Sequence, residues 1–403
     1  DEDLSRGLGD VYKRQFFSHI GAGFGKPLLT MHNNTEGTIS YTNLICIPST
    51  RPFDLFNPDR KSSLKLYINR VFITDKCDAL IPSYLRFIKG LVDTQDIDLN
   101  VSREMLQNNP AVAKISKSLV GKILRELKKV SEKNADGYKS FWKEYGAVLK
   151  EGLYEDAERK EALLDLCRFS TNENDDPISL SGYVEKMPEK QKDIYYISAE
   201  TKDQALASPH LEGFKSKKIP VLIMTDAIDQ FWLPMVGSFK EKKFTSITQG
   251  QINLDDLDEK NKDKKKDDKN EKEKKDKEYV DLVAQLKVVL GDQVKDIRLS
   301  SKLTDSPVCL VADEGDMDIA MEQLMAQRDT NYKGAPRILE INGDHSLIKN
   351  MKSLLSKKEN NDLVSDAGTL LFEQARLMEG KMPADPAQFS KIMNQFLLKA
   401  IPN

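Results

Sequence analysis

Residues 254–278, LDDLDEKNKDKKKDDKNEKEKKDKE, limit most strongly how this chain can fold. Past Leu257 the run carries nothing apolar, so it cannot contribute to a core. Charges of both signs are mixed along it, which makes a flexible, hydrated linker the expectation and argues against a nucleic-acid-binding tail. The chain must therefore bury its apolar side chains separately before and after this run. At 403 residues it is longer than one core usually serves, and two or three domains are expected. A net charge of −3 argues against a dedicated DNA or RNA binder.

Chemistry-bearing side chains are sparse. Cys46, Cys77, Cys167 and Cys309 lie far apart and form no CxxC pair, as expected of small buried thiols in a reducing cytosol. His19, His32, His210 and His345 are scattered too, so no metal site is expected. No apolar run approaches the roughly 20 residues of a membrane span, no signal peptide opens the chain, and a cytoplasmic protein without membrane contact is expected. The formal sequons Asn33-Asn34-Thr35 and Asn100-Val101-Ser102 are then expected to be idle.

Residues 1–15 show no period and read as an extension outside the fold. Gly21, Gly23 and Gly25 have no strand before them and no helix after them, so they read as a turn and not a phosphate loop. Alternation over Glu36–Pro48 predicts a strand, and Leu64–Thr74 a second. Leu80, Tyr84, Phe87, Ile88 and Leu91 predict a helix over Asp78–Val92. Val112, Ile115, Leu119, Ile123 and Leu127 predict an amphipathic helix to about Val130. Asp136–Phe169 reads as helical. Asp193–Ser198, Lys202–Lys215 and Pro220–Met224 read as a βαβ unit whose last strand is buried and parallel. Phe231, Trp232, Leu233, Met235 and Val236 follow; they belong to a core unless partly exposed, when they would form a binding surface.

After the charged run, Tyr279–Leu290 reads as helix and Val294–Leu299 and Val308–Ala312 as strands. Met317–Met325 reads as an amphipathic helix bearing Met317, Met321, Leu324 and Met325, whose thioethers suit adaptive apolar contacts. A strand at Arg337–Asn342 and a helix at Ser346–Leu355 follow. Two final helices, Asp362–Glu379 and Asp385–Ile401, carry apolar stripes too thin for a core alone, and pairing with a second copy would cover both. The fold class is therefore α/β (α+β) and multidomain, divided as 1–15, 16–130, 131–250, the linker 251–278 and 279–403.

One stretch carries a possible active group. In Leu99-Asn-Val-Ser-Arg-Glu-Met-Leu-Gln107, Ser102 can cap a short helix, and Arg103 and Gln107, four residues apart, share its side. Asn109-Pro110 starts the next helix. An arginine fork and an amide held together suit a phosphate. From spacing alone, a surface arginine and glutamine on an ordinary helix remains the more economical reading.

Several runs carry a resemblance: Pro52-Phe-Asp-Leu-Phe56, Lys65-Leu-Tyr-Ile-Asn-Arg-Val-Phe-Ile73, Leu80-Ile-Pro82, Phe87-Ile-Lys-Gly-Leu-Val-Asp93, Ser102-Arg-Glu-Met-Leu-Gln107, Leu211-Glu-Gly-Phe214 and Ile338-Leu-Glu-Ile-Asn342. Collinear from about Phe16 to Ile401, they resemble the heat-shock-protein-90 family of chaperones. With no Met-Glu-Glu-Val-Asp tail before Asn403, the resemblance is to the bacterial form.

The resemblance implies an ATP-driven molecular chaperone that binds non-native client proteins. It implies a ribosomal-S5-domain-2-like middle domain, a small βαβ subdomain and a C-terminal dimerisation domain. Arg103 matches the arginine that reaches the ATP γ-phosphate in the closed dimer, and Gln107 its catalytic-loop partner. Phe231, Trp232, Met317, Met321, Leu324 and Met325 match client-holding regions. Leu370, Leu371, Phe389, Met393, Phe396 and Leu397 fall on the homodimer helices. ATP and Mg²⁺ belong to the full-length parent. The family's ATP-binding motifs would precede residue 16 and are absent, so this chain alone is expected neither to bind nor to hydrolyse ATP. Two other classes remain: a transducer and dimerisation module of a DNA-acting enzyme with the same ATPase head, or an ATP-independent binding scaffold.

Overall fold

The computed structural model describes residues 11–12, 15–19, 27–57, 63–75, 77–98, 106–174, 176–254, 265–329, 332, 334–355 and 361–401, without the side chains of 265–273. The chain is multidomain and mixed α/β. It divides into two compact units: Asp1–Arg168 with Phe231–Val236, and Phe169–Gln230 with Gly237–Asn403.

The first unit is built on a five-stranded sheet of order β1-β2-β5-β3-β4. Its strands are β1 (Leu29–Thr35), β2 (Tyr41–Ile47), β3 (Ser63–Ile68), β4 (Val71–Thr74) and β5 (Lys89–Thr94). Only β3 and β5 pair in parallel. The strand expected over Leu64–Thr74 is a hairpin, because Asn69 and Arg70 both take positive φ (49° and 66°) and turn the chain back on itself. The helix expected over Asp78–Val92 does not form. A 3₁₀ turn at Ser83–Leu85 leads into β5. Leu80, Tyr84, Phe87 and Ile88 are all buried, as the spacing required, but a loop buries them. Gly90, in β5, has φ +142° and passes so close to the Leu44 carbonyl that a Cβ would collide with it.

Helices α1 (Pro110–Lys133), α2 (Ala135–Glu155) and α3 (Lys160–Leu166) pack on one another. The amphipathic stripe predicted for α1 is buried at Val112, Ile115, Leu119, Ile123 and Leu127. Helicity over Asp136–Phe169 is interrupted at 157–159 and ends at Leu166, and Phe169 lies in a strand. The aromatics of α2 are core residues: Phe87 stacks on Tyr145 at 4.6 Å, and the buried Tyr145 hydroxyl donates to the Pro48 carbonyl at 2.9 Å.

The second unit holds two sheets. The larger has order β10-β11-β8-β9-β6-β7, from β6 (Arg168–Thr171), β7 (Ile178–Ser179), β8 (Ile194–Ser198), β9 (Leu222–Met224), β10 (Ser238–Phe239) and β11 (Lys242–Ser246). Helices α4 (Leu180–Lys186), α5 (Lys202–Leu206), α6 (Glu212–Ser216) and α7 (Asp229–Val236) lie between strands in sequence. The pair β8 and β9 is parallel and β9 is wholly buried, as its continuous apolar run required.

Helix α8 spans Lys265–Leu290. It begins fourteen residues before the expected Tyr279, inside the run expected to be a flexible linker. Lysine and glutamate favour helix even where nothing apolar is available to bury, so the absence of a core does not mean the absence of a helix. Lys275 and Glu278 reach back to Asp344 at 2.5 Å and Lys352 at 2.7 Å. Strands β12 (Val294–Leu299), β13 (Val308–Val311) and β14 (Arg337–Ile341) form the second sheet in the order β12-β14-β13. With α9 (Ile319–Arg328), α10 (Ser346–Leu355), α11 (Asn361–Met378) and α12 (Pro386–Ala400) they complete the chain. One core joins Leu282 and Leu286 of α8, Leu310, Leu339, Ile348 and Phe372.

Candidate functional site

The side chain of Asn109 caps α1, accepting the Ala111 N–H at 2.8 Å and the Val112 N–H at 3.4 Å, with Pro110 in the first turn. The turn before it buries Leu106 and exposes Gln107. Ser102, Arg103 and Met105 lie outside the described residues. Gln107 is thus exposed two residues ahead of the cap of α1.

The aromatic run on α7 splits by face. Trp232 is fully buried within the first unit, with Leu233 and Val236. Its expected place in a client surface is corrected: an indole with no exposed area is core. Phe231 is half-buried, edge-on to Tyr154 at 6.4 Å, and Met235 is exposed. Adjacent residues point about 100° apart around a helix, so composition alone could not say which aromatic faces out.

Helix α9 is capped by Asp318, whose Oδ1 accepts the Ala320 N–H at 3.0 Å. Met317 precedes the cap and is exposed; Met321, Leu324 and Met325 are half-buried. Beneath the other face lies a cleft of about 970 Å³, lined by Ile319, Glu322, His210, Arg337 and Phe372 among others. His210 is buried there. Burial, with Lys302 nearby, lowers its pKa to about 3, against a weaker pull from its hydrogen bond to the Leu310 backbone. The imidazole is therefore neutral at pH 7. Outside the cleft, Glu212 holds the loop 304–306. Burial opposes its charge, but the Ser306 hydroxyl and the N–H groups of Thr304, Asp305 and Ser306 together keep its carboxyl below the usual range.

At the chain's end Asp385 caps α12 through the Gln388 N–H at 2.9 Å. This fifteen-residue helix buries Ile392 alone among its described residues. Phe389 and Phe396 are half-buried, and Met393 and Leu397 are exposed. Leu398 and Ile401, which the stripe reading omitted, are more open still at 76% and 71% exposure. Met378 and Met382, also omitted, are exposed between the last two helices. On α11, Leu370 is half-buried, but Leu371 belongs to the chain's own core and is not open to a partner.

No described helix is long and apolar enough to cross a membrane. Among the described residues no cluster of His, Cys, Asp or Glu is placed to hold a metal ion. The family model described as "Hsp90 protein" matches residues 9–402, starting a few residues ahead of the Phe16 where the resemblance begins to be legible. The chain belongs to the Hsp90 family. Among its Hsp90-family relatives, the chaperone protein HtpG of Roseobacter denitrificans is 44% identical over 389 residues, 96% of this chain and 62% of the relative. HtpG of Paramagnetospirillum magneticum is 44% identical over 96% of this chain and 62% of its own length. HtpG of a Wolbachia pipientis strain is 42% identical over 95% and 60%. The chain thus spans about 60% of the length of these curated relatives.

Proposed function

We propose that this chain is the client-holding and dimerising part of an ATP-dependent, cytoplasmic molecular chaperone. The observation that carries the reading is the exposed stripe of α12, Met393, Leu397, Leu398 and Ile401, on a chain of the Hsp90 family. A helix that buries one residue in its own chain leaves a face that a second copy can cover isologously. Met317, Met321, Leu324, Met325 and Phe231 are the client contacts in this reading. The finer fold assignment, a ribosomal-S5-domain-2-like middle domain, a small βαβ subdomain and a C-terminal dimerisation domain divided near 130, 250 and 278, goes with it.

Arg103 and Gln107 supply the phosphate-facing part. A guanidinium delivered from a separate domain stabilises charge developing on the transferred phosphoryl group and ties turnover to closure. ATP with Mg²⁺ supplies that chemistry in the full-length parent. The described geometry that supports a phosphate role is the exposed Gln107 on its pinned turn, and the role of Arg103 rests on its motif. In the parent, Arg103→Ala should sharply lower turnover with nucleotide affinity nearly intact; unchanged turnover contradicts the role.

The client assignment is tested by light scattering of a heat-denatured reporter enzyme. The purified chain should delay its aggregation, and Met317→Ser with Met321→Ser and Met325→Ser should remove most of the delay. Undiminished protection by the triple variant would assign client contact elsewhere.

A further inference from the structure

Helix α9 is held in place in an unusual way. Its buried residues are Ile319 and Glu322, so no apolar stripe sets its position. Glu322 is 2% exposed, and around the helix it lies about 100° from Met321 and about 160° from Leu324. A carboxylate removed from water this completely needs partners with good geometry, and it has them on two other elements. Its Oε2 accepts a hydrogen bond from Arg337 Nη2 on β14 and lies 3.5 Å from Lys381 Nζ, just past the end of α11. Its Oε1 accepts the Ala335 N–H at 2.6 Å. Gly334 passes so near that a Cβ there would overlap this oxygen.

Two neighbouring bonds extend the arrangement. Arg337 Nη1 donates to the Met317 carbonyl at 3.0 Å, at the start of the methionine segment. Gln323 Nε2 donates to the Glu379 carbonyl at 2.6 Å, and Lys381 Nζ lies 3.3 Å from the Glu379 carboxylate. The turn 379–382 that leads into α12 is therefore bonded to the inner face of the helix whose outer face carries the methionines.

We propose that Glu322 is a positioning residue that fixes the methionine face of α9 to the turn carrying α12, so that covering or uncovering the α12 stripe is felt at that face. The significance for clients rests on the reading given above; the tie itself does not. A packed, fully bonded carboxylate has discrete arrangements and does not deform continuously, and coupling between two faces is reciprocal.

Hydrogen exchange on the full chain tests the tie. Gln323→Ala with Lys381→Met cuts the bonds to the turn and leaves the Glu322–Arg337 pair intact. The α9 amides, 319–328, should exchange at least fivefold faster, and so should those of 379–385, while α10 amides keep their rate. Gly334→Ala, acting on Glu322 from the other side, should accelerate α9 equally. Leu397→Asp with Leu398→Asp, which uncovers α12, should accelerate α9 in the otherwise unaltered chain and add nothing in the Gln323/Lys381 variant. Unchanged α9 exchange in the Gln323/Lys381 variant overturns the proposal, and so does acceleration that extends equally to α10. Affinity for a fluorescent apolar peptide is read in the same samples. If exchange responds and peptide affinity does not, the tie stands and the client assignment fails.

Discussion

Helices α11 and α12 both carry an apolar stripe at helical spacing, and they dispose of it differently. Helix α11 buries Val364, Leu371, Phe372 and Ala375 in a core shared with α8, α10 and the three-stranded sheet. Helix α12 buries Ile392 and leaves Met393, Leu397, Leu398 and Ile401 in water. Removing apolar area from water is favourable wherever it happens, so a stripe requires a cover without naming its source. For α11 the cover is the chain itself. For α12 the proposed cover is a second copy, which offers the same face.

The largest effect should separate the two helices outright. Phe372→Ala opens a cavity in a closed core and should cost roughly 3–5 kcal/mol in urea unfolding. Leu398→Ala should leave the unfolding free energy of the dilute chain almost unchanged and weaken only self-association. Equal losses at both positions would erase the distinction between the two faces.

Acid should act through His210, which lines the same cleft as Phe372 of α11. The unfolded chain binds a proton at His210 below about pH 6.5, whereas the folded chain does so only near 3. Between those values the unfolded state holds more protons. Stability from this group is thus fully present above pH 6.5 and is lost as pH falls, by about 1.4 kcal/mol per unit. His210→Gln should flatten that slope in a series of urea titrations, and an unaltered slope would show that the imidazole is not buried in its neutral form.

Asp385→Ala removes the cap of α12 and should cost about 1 kcal/mol of helix stability per chain. Because α12 is scarcely docked on its own chain, the loss should appear in the dissociation constant of the dimer and hardly in the melting temperature of the dilute protein. The smallest effect concerns Glu212. Its folded carboxyl titrates below its unfolded range, so its stabilising contribution is present above the usual carboxylate pKa and fades as pH falls through the lowered one. Glu212→Gln should reduce acid sensitivity slightly in the same titrations.

The sequence was most legible where one long pattern had one physical solution. Helix α1 buries the residues its stripe named, and the apolar run before Thr225 is the buried parallel strand its composition required. Legibility failed where burial and secondary structure part company. Leu80, Tyr84, Phe87 and Ile88 are core residues at helical spacing carried by a loop, and Pro82 and Gly90 were the signals against a helix. The hairpin at Asn69-Arg70 lacks the glycine that usually marks such a turn. The charged run beginning at Lys265 was silent about helix because its helicity owes nothing to burial. At the candidate surfaces, spacing named the helices of the methionine segment and of α12, and both helices form. The resemblance, not spacing, placed Trp232 and Leu371 on contact surfaces, and packing turns both into the core. Glu322 gave no signal at all: its partners lie 13 to 59 residues away in sequence.

The central claim is that the α12 stripe is covered by a second copy of the chain. Multi-angle light scattering on the purified chain at micromolar concentration tests it most directly, with Leu397→Asp/Leu398→Asp run beside it. The account requires twice the chain mass for the unaltered protein and a single chain mass for the variant, both folded by circular dichroism. A unaltered chain that is monomeric, or a variant that stays dimeric, would contradict it.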